Sequence, residues 1–381
     1  MYSWRGEMTP RERFIISLTD RPDRICFTPG WPRESTLKRW HSEGLPSDAD
    51  YMEVICNEIG IPYERQDYSD HINVVFKMIP EFDEKILEHK DGHYVVQDWM
   101  GAIVEISDTY DVSYLRAAKD FVTRKWHKFP VETRDDWNEM KKRFDPLTPE
   151  RFPADFAKRA EKNKKRSFVQ SIAFAGPFWQ LREWCGFEGL CMLMACEPSF
   201  VEEMANFWKD FVLFLMEKFF AAAEADHILI SEDMAYKEKS MISPDMARRF
   251  LFPCWRAWAD MARKSNCPII EVDSDGYIGE LIPLWIDAGI NVCSPIEIAA
   301  GNDPVVFRRR FGKNIGYRGA IDKRAIAKGG RIMEDAVMRI VPALLEDGLY
   351  IPSCDHGVPP DISWQNFIQY SRLLAKLTGW M

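Results

Sequence analysis

The stretch of residues 352–361, near the end of the chain, contains three adjacent side chains that can do chemistry: Cys354, Asp355 and His356. A soft thiol, a carboxylate and an imidazole are the composition of a metal site or a proton-transfer site. Prolines and a glycine make the turn rigid, and the apolar run at residues 349–351 predicts a strand before it. The sequence therefore predicts a functional loop at the mouth of a strand. The other interpretation is a polar loop with one buried cysteine.

Other predicted strands also end in polar residues. In a parallel barrel, catalytic side chains sit at the carboxyl ends of the strands, so we expect these residues to meet at one mouth. Asp273 and Asp275 alternate and would share a face of a regular strand. The residues at these strand ends are Glu232, Asp233, Asp273, Asp275, Glu297 and Arg318.

The excess of carboxylates at this mouth needs a physical explanation. Carboxylates without matching cations repel one another, and the cost falls if a metal binds, a proton is shared, or Arg318 and Lys323 pair with them. For Asp322, Lys323 and Arg324 the alternative is structural, since they could cap a helix and hold a loop. Asp275 precedes a glycine, and Asp-Gly is also an ordinary turn.

The elements that must position these residues alternate between strands and helices. From residue 167 onward the sequence predicts six such units, and two further strands are expected at residues 25–28 and 72–76. This pattern predicts an α/β fold, a (β/α)8 TIM barrel with an elaborated N-terminal region, in one domain over residues 1–381. A hairpin is expected at residues 94–99 and 102–106. An open doubly wound sheet is the alternative, although no Gly-x-Gly-x-x-Gly turn follows a strand.

Composition and charge narrow the function classes. The formal net charge of −9 argues against a nucleic-acid groove. The start has no apolar signal core and no run approaches the roughly 20 apolar residues that span a bilayer, so we expect a cytoplasmic protein with no membrane association. The nine cysteines have no compact spacing and are expected to be thiols.

Several motifs, taken in order, resemble those of the uroporphyrinogen decarboxylase superfamily. They are Thr-Pro-Arg-Glu-Arg-Phe at residues 9–14, Ile-Ser-Pro-Asp-Met at 242–246 with Phe-Pro at 252–253, Ile-Pro-Leu-Trp-Ile-Asp-Ala-Gly-Ile-Asn-Val at 282–292, Gly-Ala-Ile-Asp-Lys at 319–323, and the turn at 352–361. The resemblance covers most of the chain and is strongest after residue 225. It implies a (β/α)8 barrel.

The superfamily has two branches that differ in their site residues. The decarboxylase branch has an Arg-Gln-Ala-Gly-Arg-Tyr signature after the first strand, and its arginines hold an acidic tetrapyrrole. The corresponding residues 28–34 of this chain contain one arginine, Arg33, beside Glu34. The chain is therefore more similar to the corrinoid-linked methyltransferases of the methylcobamide:coenzyme M type.

The zinc-dependent methyltransferases carry His-x-Cys after the fifth strand and a cysteine after the last. The resemblance places Asp273, Asp275 and Cys354 at these positions, and implies a possible zinc site with His356 or Glu232 as further ligands. Two carboxylates and a thiolate can bind zinc, although thiolates and imidazoles are its usual ligands. If no metal binds, Asp275 and His356 could act as acid and base, with Cys354 as a packed thiol.

The resemblance implies a methyltransferase subunit that demethylates a small substrate, of the methoxylated aromatic or methylamine type. Its methyl acceptor would be a corrinoid on a separate protein, because the chain lacks the corrinoid-binding Asp-x-His-x-x-Gly signature. We expect Asp275, Glu232 and His356 to be catalytic, and a homodimer is possible. The residues expected to contact substrate are Trp31, Trp99, Phe178, Trp179, Tyr236 and Arg318. The alternatives are a cofactor-free decarboxylase or lyase acting on a carboxylated substrate, and a non-catalytic binding protein.

Overall fold

The computed structural model describes residues 8–117 and 122–381. It contains a parallel sheet in the second half of the chain and an antiparallel sheet before it. The strands are β1 (Lys85–Lys90), β2 (His93–Gln97), β3 (Ile103–Ser107), β4 (Lys125–Lys128), β5 (Ser171–Ala175), β6 (His227–Ser231), β7 (Ile269–Asp273), β8 (Val292–Ser294), β9 (Gly316–Ile321) and β10 (Tyr350–Cys354).

Helices precede, connect and cover these strands. They are α1 (Pro10–Thr19), α2 (Glu34–Ser42), α3 (Tyr51–Ile59), α4 (Tyr114–Ala117), α5 (Arg134–Lys141), α6 (Phe156–Asn163), α7 (Pro177–Cys185), α8 (Phe187–Cys196), α9 (Pro198–Phe220), α10 (Pro244–Phe250), α11 (Phe252–Lys264), α12 (Ile282–Ala288), α13 (Pro304–Phe311), α14 (Lys323–Lys328), α15 (Gly330–Asp347) and α16 (Trp364–Leu377). Short 3₁₀ helices lie at Lys142–Phe144, Pro149–Arg151 and Ile298–Ala300.

The six strands predicted after residue 167 are confirmed as β5 to β10. They are hydrogen-bonded side by side in chain order and run parallel, with helices in every connection. Parallel strands need such crossovers, and the crossover helices bury one face of the sheet. Tryptophans on these helices fill that layer, including Trp208, Trp255 and Trp285, all fully buried.

The expected hairpin is also confirmed. β2 and β3 pair antiparallel, with Tyr94 opposite Ile106. The turn is fixed by Asp98, whose Oδ1 accepts hydrogen bonds from the backbone N–H groups of Met100 and Ala102. β1 and β4 extend this pair into a four-stranded sheet.

The two strands expected at residues 25–28 and 72–76 are not strands in this structure. Their backbone groups have other partners, so they need no sheet ladder. The N–H of Ile25 donates to the carbonyl of Thr378, and the N–H of Cys26 donates to the hydroxyl of Ser17. The side-chain amide of Gln170 binds both the N–H and the carbonyl of Ile72. The six-stranded parallel sheet is therefore the part of the expected barrel that the structure shows.

Helix α1 lies across the amino ends of the parallel strands. It begins at Thr9, which forms a capping box with Glu12. Its residues Phe14 and Leu18 pack in one apolar cluster with Ile269 and Ile351 of the sheet. No helix in the described ranges is long and apolar enough to cross a membrane.

Candidate functional site

The mouth of the parallel sheet contains a His–Asp pair. Nε2 of His356 lies 3.1 Å from Oδ1 of Asp275, although the two residues follow different strands. The Asp275 side chain is 47% exposed and the His356 side chain 13%. The pair therefore combines a solvent-accessible carboxylate with a ring that the protein holds in place. The sequence predicted that both residues reach this mouth.

The loop that carries His356 is fixed by the neighbouring Asp355. This carboxylate is fully buried and accepts hydrogen bonds from the backbone N–H groups of Ile298 (3.0 Å) and Lys323 (3.2 Å). Its Oδ1 also lies 3.6 Å from Nδ1 of His356. Asp355 thus ties three loops together and orients the imidazole.

Lys323 approaches the other side of the imidazole. Its Nζ lies 2.9 Å from Nδ1 of His356 and 3.6 Å from Oε1 of Glu297. Burial disfavours a charged ring, but hydrogen bonds to Asp275 and Asp355 outweigh burial and raise the pKa of His356 to about 9. The ammonium group of Lys323 opposes this rise. At 2.9 Å a single proton lies between Nζ of Lys323 and Nδ1 of His356, bonded to one nitrogen and accepted by the other. In both cases Nε2 of His356 remains available to donate to Asp275.

Asp233 also belongs to this site, but the sequence did not single it out as a functional residue. Its Oδ1 accepts a hydrogen bond of 3.0 Å from the N–H of Asp275, and its carbonyl accepts one from Arg182. Burial and the charge of Asp275 raise the pKa of Asp233 to about 6. Its backbone has φ of +32°, a strained value for a residue other than glycine. The sequence signal for Asp233 is the pair of acids after β6, of which the first, Glu232, is predicted to be catalytic.

That first member, Glu232, has contacts that are structural. It is fully buried, and its oxygens accept hydrogen bonds from the first-turn N–H groups of Phe178 and Trp179 and from the indole of Trp255. Burial raises the pKa of Glu232 to about 8, against these three donors. A Cβ on Gly176 would lie only 2.2 Å from the Glu232 carboxyl carbon, so the carboxylate sits directly against the backbone. Glu232, predicted to be catalytic, therefore caps α7 and is shielded from the mouth.

The concave face of the sheet holds a second polar group of residues. Nη1 of Arg318 donates to Glu271 at 2.8 Å, and Glu271 also binds His227 (3.0 Å) and the hydroxyl of Ser294 (2.5 Å). Burial opposes ionisation of Glu271, but Arg318 and His227 outweigh it and lower its pKa. Asp273 lies two residues further along β7, on the same face.

Asp273 titrates in the opposite direction from Glu271. Burial and the nearby carboxylates of Asp233, Glu271 and Asp275 raise the pKa of Asp273 to about 8, against the influence of Arg318. Asp273 is therefore a carboxylic acid at neutral pH, next to an ionised Glu271. Two carboxyl groups on one strand whose pKa values diverge are the arrangement that acid–base chemistry uses.

The proposed zinc ligands are not brought together. Within residues 8–117 and 122–381, no group of three or more His, Cys, Asp or Glu side chains is placed to hold a metal ion. In the sheet register Arg318 is opposite Ile351, so Cys354, three residues later, faces the other side from Arg318 and Asp273. Cys354 is buried and packs in the main hydrophobic core. Asp273, Asp275 and Cys354 therefore do not fit the zinc site that the sequence predicted.

The predicted aromatic residues are divided between core and surface. Phe178 is fully buried, and Trp99 is buried beneath the ammonium group of Lys77. Trp179 is partly buried and donates its indole N–H to Glu183.

Trp31 and Tyr236 are exposed near the His–Asp pair. The Trp31 ring lies so close to Gly357 that a Cβ there would be 2.6 Å from it. Tyr236 lines a mouth cavity of about 370 Å³. The residues that line this mouth cavity are Ala235, Tyr236, Lys237, Asp275, Gly276, Glu297, Ala299, Ala300 and Arg324. A small ligand in the cavity would contact Asp275 directly.

Comparisons with known proteins agree with this fold. No curated protein matches the sequence. Among solved structures, a methyltransferase from Methanosarcina mazei is similar, with a TM-score of 0.55 at 13% sequence identity, over 97% of this chain and 98% of that one. The model of the family described as uroporphyrinogen decarboxylase (URO-D) matches residues 126–374. The chain belongs to the uroporphyrinogen decarboxylase family.

Proposed function

We propose that this protein is the methyltransferase subunit of a corrinoid-dependent demethylase. It would move a methyl group from a small methylated substrate, of the methoxylated aromatic or methylamine type, to a corrinoid carried by a partner protein. The family match and the methyltransferase among similar structures support this class of reaction. Residues 28–34, with one arginine beside a glutamate, offer little to an acidic tetrapyrrole.

The observation that carries the proposal is the His356–Asp275 pair beside the mouth cavity. When a methyl group leaves an ether, the carbon–oxygen bond breaks and its electron pair stays on oxygen. A positioned acid that protonates this oxygen makes it a better leaving group. The proton is held on His356, whose Nε2 lies against Asp275, and Asp275 contacts the cavity. As the carbon–oxygen bond breaks, Asp275 passes this proton to the leaving oxygen and His356 becomes neutral. When a quaternary ammonium substrate loses its methyl group, the leaving group is a neutral amine, so it needs no proton.

The corrinoid supplies the nucleophile that accepts the methyl group, and the chain's own residues supply the rest. Tyr236 presents an exposed aromatic ring to a ligand in the mouth cavity. Asp233 holds the backbone of Asp275, and Lys323 with Asp355 holds the ring of His356. The proposed steps need no zinc at Asp273, Asp275 and Cys354, which are not placed together to hold it.

The test uses free cob(I)alamin as the methyl acceptor. The purified protein is incubated with cob(I)alamin and a panel of methoxylated benzoates and methylamines, and methylcobalamin is followed by its absorption spectrum. We expect turnover with at least one donor. With an ether donor, Asp275→Asn and His356→Gln should lower the rate by about 10²–10⁴. His89→Gln is the matched control, because His89 forms an exposed pair with Asp108 on the antiparallel sheet.

The second candidate is a cofactor-free lyase acting on a carboxylated substrate. The observation that favours it is the Arg318 guanidinium on the concave face, next to the protonated Asp273. Release of carbon dioxide without a corrinoid, together with no methylation of cob(I)alamin by any donor, would overturn the methyltransferase proposal in favour of the lyase.

We also infer that the parallel sheet is part of an eightfold barrel arrangement in one domain. The carbonyl of Pro29 accepts from the N–H of Cys354, and Pro32 forms a parallel bridge with Val358, which places residues 29–32 beside the β10 edge. At the other edge, Gln170 binds the backbone of Ile72 just before β5. The chain segments at residues 25–32 and 72–76 would occupy the places of the first two strands without forming a ladder.

A further inference from the structure

The concave face of the parallel sheet encloses a hollow, which we define by Ala173, Ser231, Asp273 and Arg318. On β5, Ile172 and Phe174 are buried against the helices, and Phe174 packs on Trp258 at 5.0 Å. Ala173 lies between them and must face the concave side, yet it is exposed. An exposed residue in a strand covered by helices shows that the concave side is open to solvent.

Small side chains widen this hollow on the β5 and β6 side. Ala173 pairs with Leu229 and Ala175 with Ser231, so two alanines and a serine line the wall together with one larger side chain, Leu229. On the next strand Asp273 is opposite Ser231. Below them, Phe14 of α1 lies under the Arg318 guanidinium, 5.6 Å from its central carbon, and forms the floor. The space is therefore bounded by a charged group at the bottom and by the acids of the mouth at the top.

Arg318 has donor groups to spare. Its side chain is 32% exposed, and its hydrogen bond among the described residues is the one from Nη1 to Glu271. A guanidinium group carries five N–H donors, so most of them point to no protein acceptor in the described part of the chain. Glu271 is not bound to Arg318 alone, since its two carboxylate oxygens also contact His227 and Ser294.

We propose that Arg318 binds the carboxylate of the substrate at the bottom of the hollow, so that the methyl donor is a small methylated carboxylic acid. The identification of this ligand as the methyl donor rests on the proposed function. The Arg318 site itself depends only on the geometry of the concave face. A planar guanidinium fork suits a carboxylate, and charge-assisted hydrogen bonds are about twice as strong as neutral ones.

The position of Arg318 also fits the size of such a substrate. Glu271, its partner, precedes Asp275 by four residues, which corresponds to at most about 13 Å along an extended chain. The Arg318 and Asp275 side chains shorten this span from both ends. A one-ring acid with its methyl group opposite its carboxylate would reach from Arg318 toward the His356–Asp275 pair.

The neighbouring acids leave most donors of Arg318 available. Glu271 accepts from Nη1 alone. Asp273 is the second carboxyl group on this face, and burial and its acidic neighbours raise its pKa to about 8. A neutral acid can itself donate a hydrogen bond to a bound carboxylate. The bottom of the hollow thus offers the free donors of Arg318, beside an ionised Glu271 that is bound to Arg318, His227 and Ser294.

The test is a binding measurement that needs no turnover. Isothermal titration calorimetry compares 4-methoxybenzoate with 4-methoxybenzamide, which has the same shape and no charge. We expect the carboxylate to bind about tenfold to a hundredfold more tightly than the amide. Arg318→Lys keeps a cation beside Glu271 and removes the fork, and should cut the affinity for the carboxylate about tenfold while leaving the amide unchanged.

Two further variants protect the test against misfolding. Arg318→Gln combined with Glu271→Gln removes both charges of the ion pair, so no buried charge is left without a partner. It should abolish the preference for the carboxylate while retaining the wild-type circular dichroism spectrum. Arg249→Gln is the matched control, since Arg249 pairs with Glu202 on the outer surface, and it should bind both ligands as the wild type does.

The outcomes separate this inference from the proposed function. Equal binding of acid and amide, or tight binding of the acid that is unaffected by both Arg318 variants, overturns the carboxylate site even if methyl transfer occurs. Arg318-dependent binding of the acid without methylation of cob(I)alamin by any donor supports the site and overturns the methyltransferase.

Discussion

The Nζ atom of Lys323 lies 2.9 Å from Nδ1 of His356, on the side of the ring opposite Asp275. A cation at this place lowers the affinity of the imidazole for a second proton. The ring also lies between Asp275 and Asp355, and these two carboxylates raise its pKa. The proton on Nε2, which faces Asp275, is therefore controlled by a balance of three neighbours.

Replacing Lys323 should shift this balance in a known direction. Lys323→Met removes a positive charge next to the ring, so we expect the pKa of His356 to rise above its value of about 9. The measurement is a pH titration of the His356 ring followed by NMR, with His356→Gln used to assign the signal. An unchanged or lowered pKa in Lys323→Met would show that the close contact does not exist in solution.

The buried pair of Asp226 with Arg166 should make stability depend on pH at the acid end. Oδ1 of Asp226 accepts from Arg166 and from Arg11, each at 2.8 Å, and the Asp226 and Arg166 side chains are 2% and 3% exposed. Burial alone would raise the pKa of Asp226, but the hydrogen bonds from both arginines outweigh it and lower the pKa. Asp226→Asn should therefore cost about 3–5 kcal/mol of unfolding free energy at pH 7.

The sign of the pH dependence follows from this lowered pKa. The carboxylate stabilises the fold above the unfolded-state value of about 3.9, and its effect is lost as the pH falls through the folded-state value. Urea unfolding of the wild type and Asp226→Asn should differ by a constant amount between pH 5 and pH 8, and the difference should shrink below about pH 4. A difference that grew on acidification would contradict the ion pair.

Gly176 should not tolerate a side chain, because Glu232 lies against it. A Cβ at residue 176 would be 2.2 Å from the Glu232 carboxyl carbon. We expect Gly176→Ala to cost at least about 1–3 kcal/mol and to lower the urea midpoint. Gly189→Ala is the control: it lies inside α8, its added Cβ would meet its nearest neighbour at 3.9 Å, and it should stabilise by about 0.5–1 kcal/mol. Equal effects of the two substitutions would contradict the close approach.

Zinc content should not depend on Cys354. The thiol is 4% exposed and faces away from Asp273. We therefore expect Cys354→Ala and the wild type to contain the same amount of zinc when both are purified without chelators and analysed by mass spectrometry. One equivalent of zinc in the wild type that is lost in Cys354→Ala would restore the predicted metal site.

The sequence predicted the strands of the parallel sheet because each is a short apolar run followed by helical periodicity. The prediction was wrong at residues 25–28 and 72–76. Backbone N–H and carbonyl groups there form hydrogen bonds with residues distant in the chain, such as those of Ile72 with the Gln170 side chain. The same limit applies to the site. Which face Cys354 occupies depends on its register with β9, and which acid after β6 reaches the mouth depends on the backbone turn at Asp233. Neither is encoded in local periodicity.

Helix α1 closes the amino end of the hollow, where Phe14 and Leu18 pack against Ile269 and Ile351. Among the described residues, the space above Arg318 then opens toward the carboxyl ends of the strands. Under the proposed function, a substrate bound beside Arg318 would have to enter before the methyl acceptor covers that opening, and the demethylated product would leave after the acceptor departs. The proposed methyl transfer would then follow a compulsory order of binding and release, and an excess of the acceptor protein would inhibit it by holding the product in the hollow.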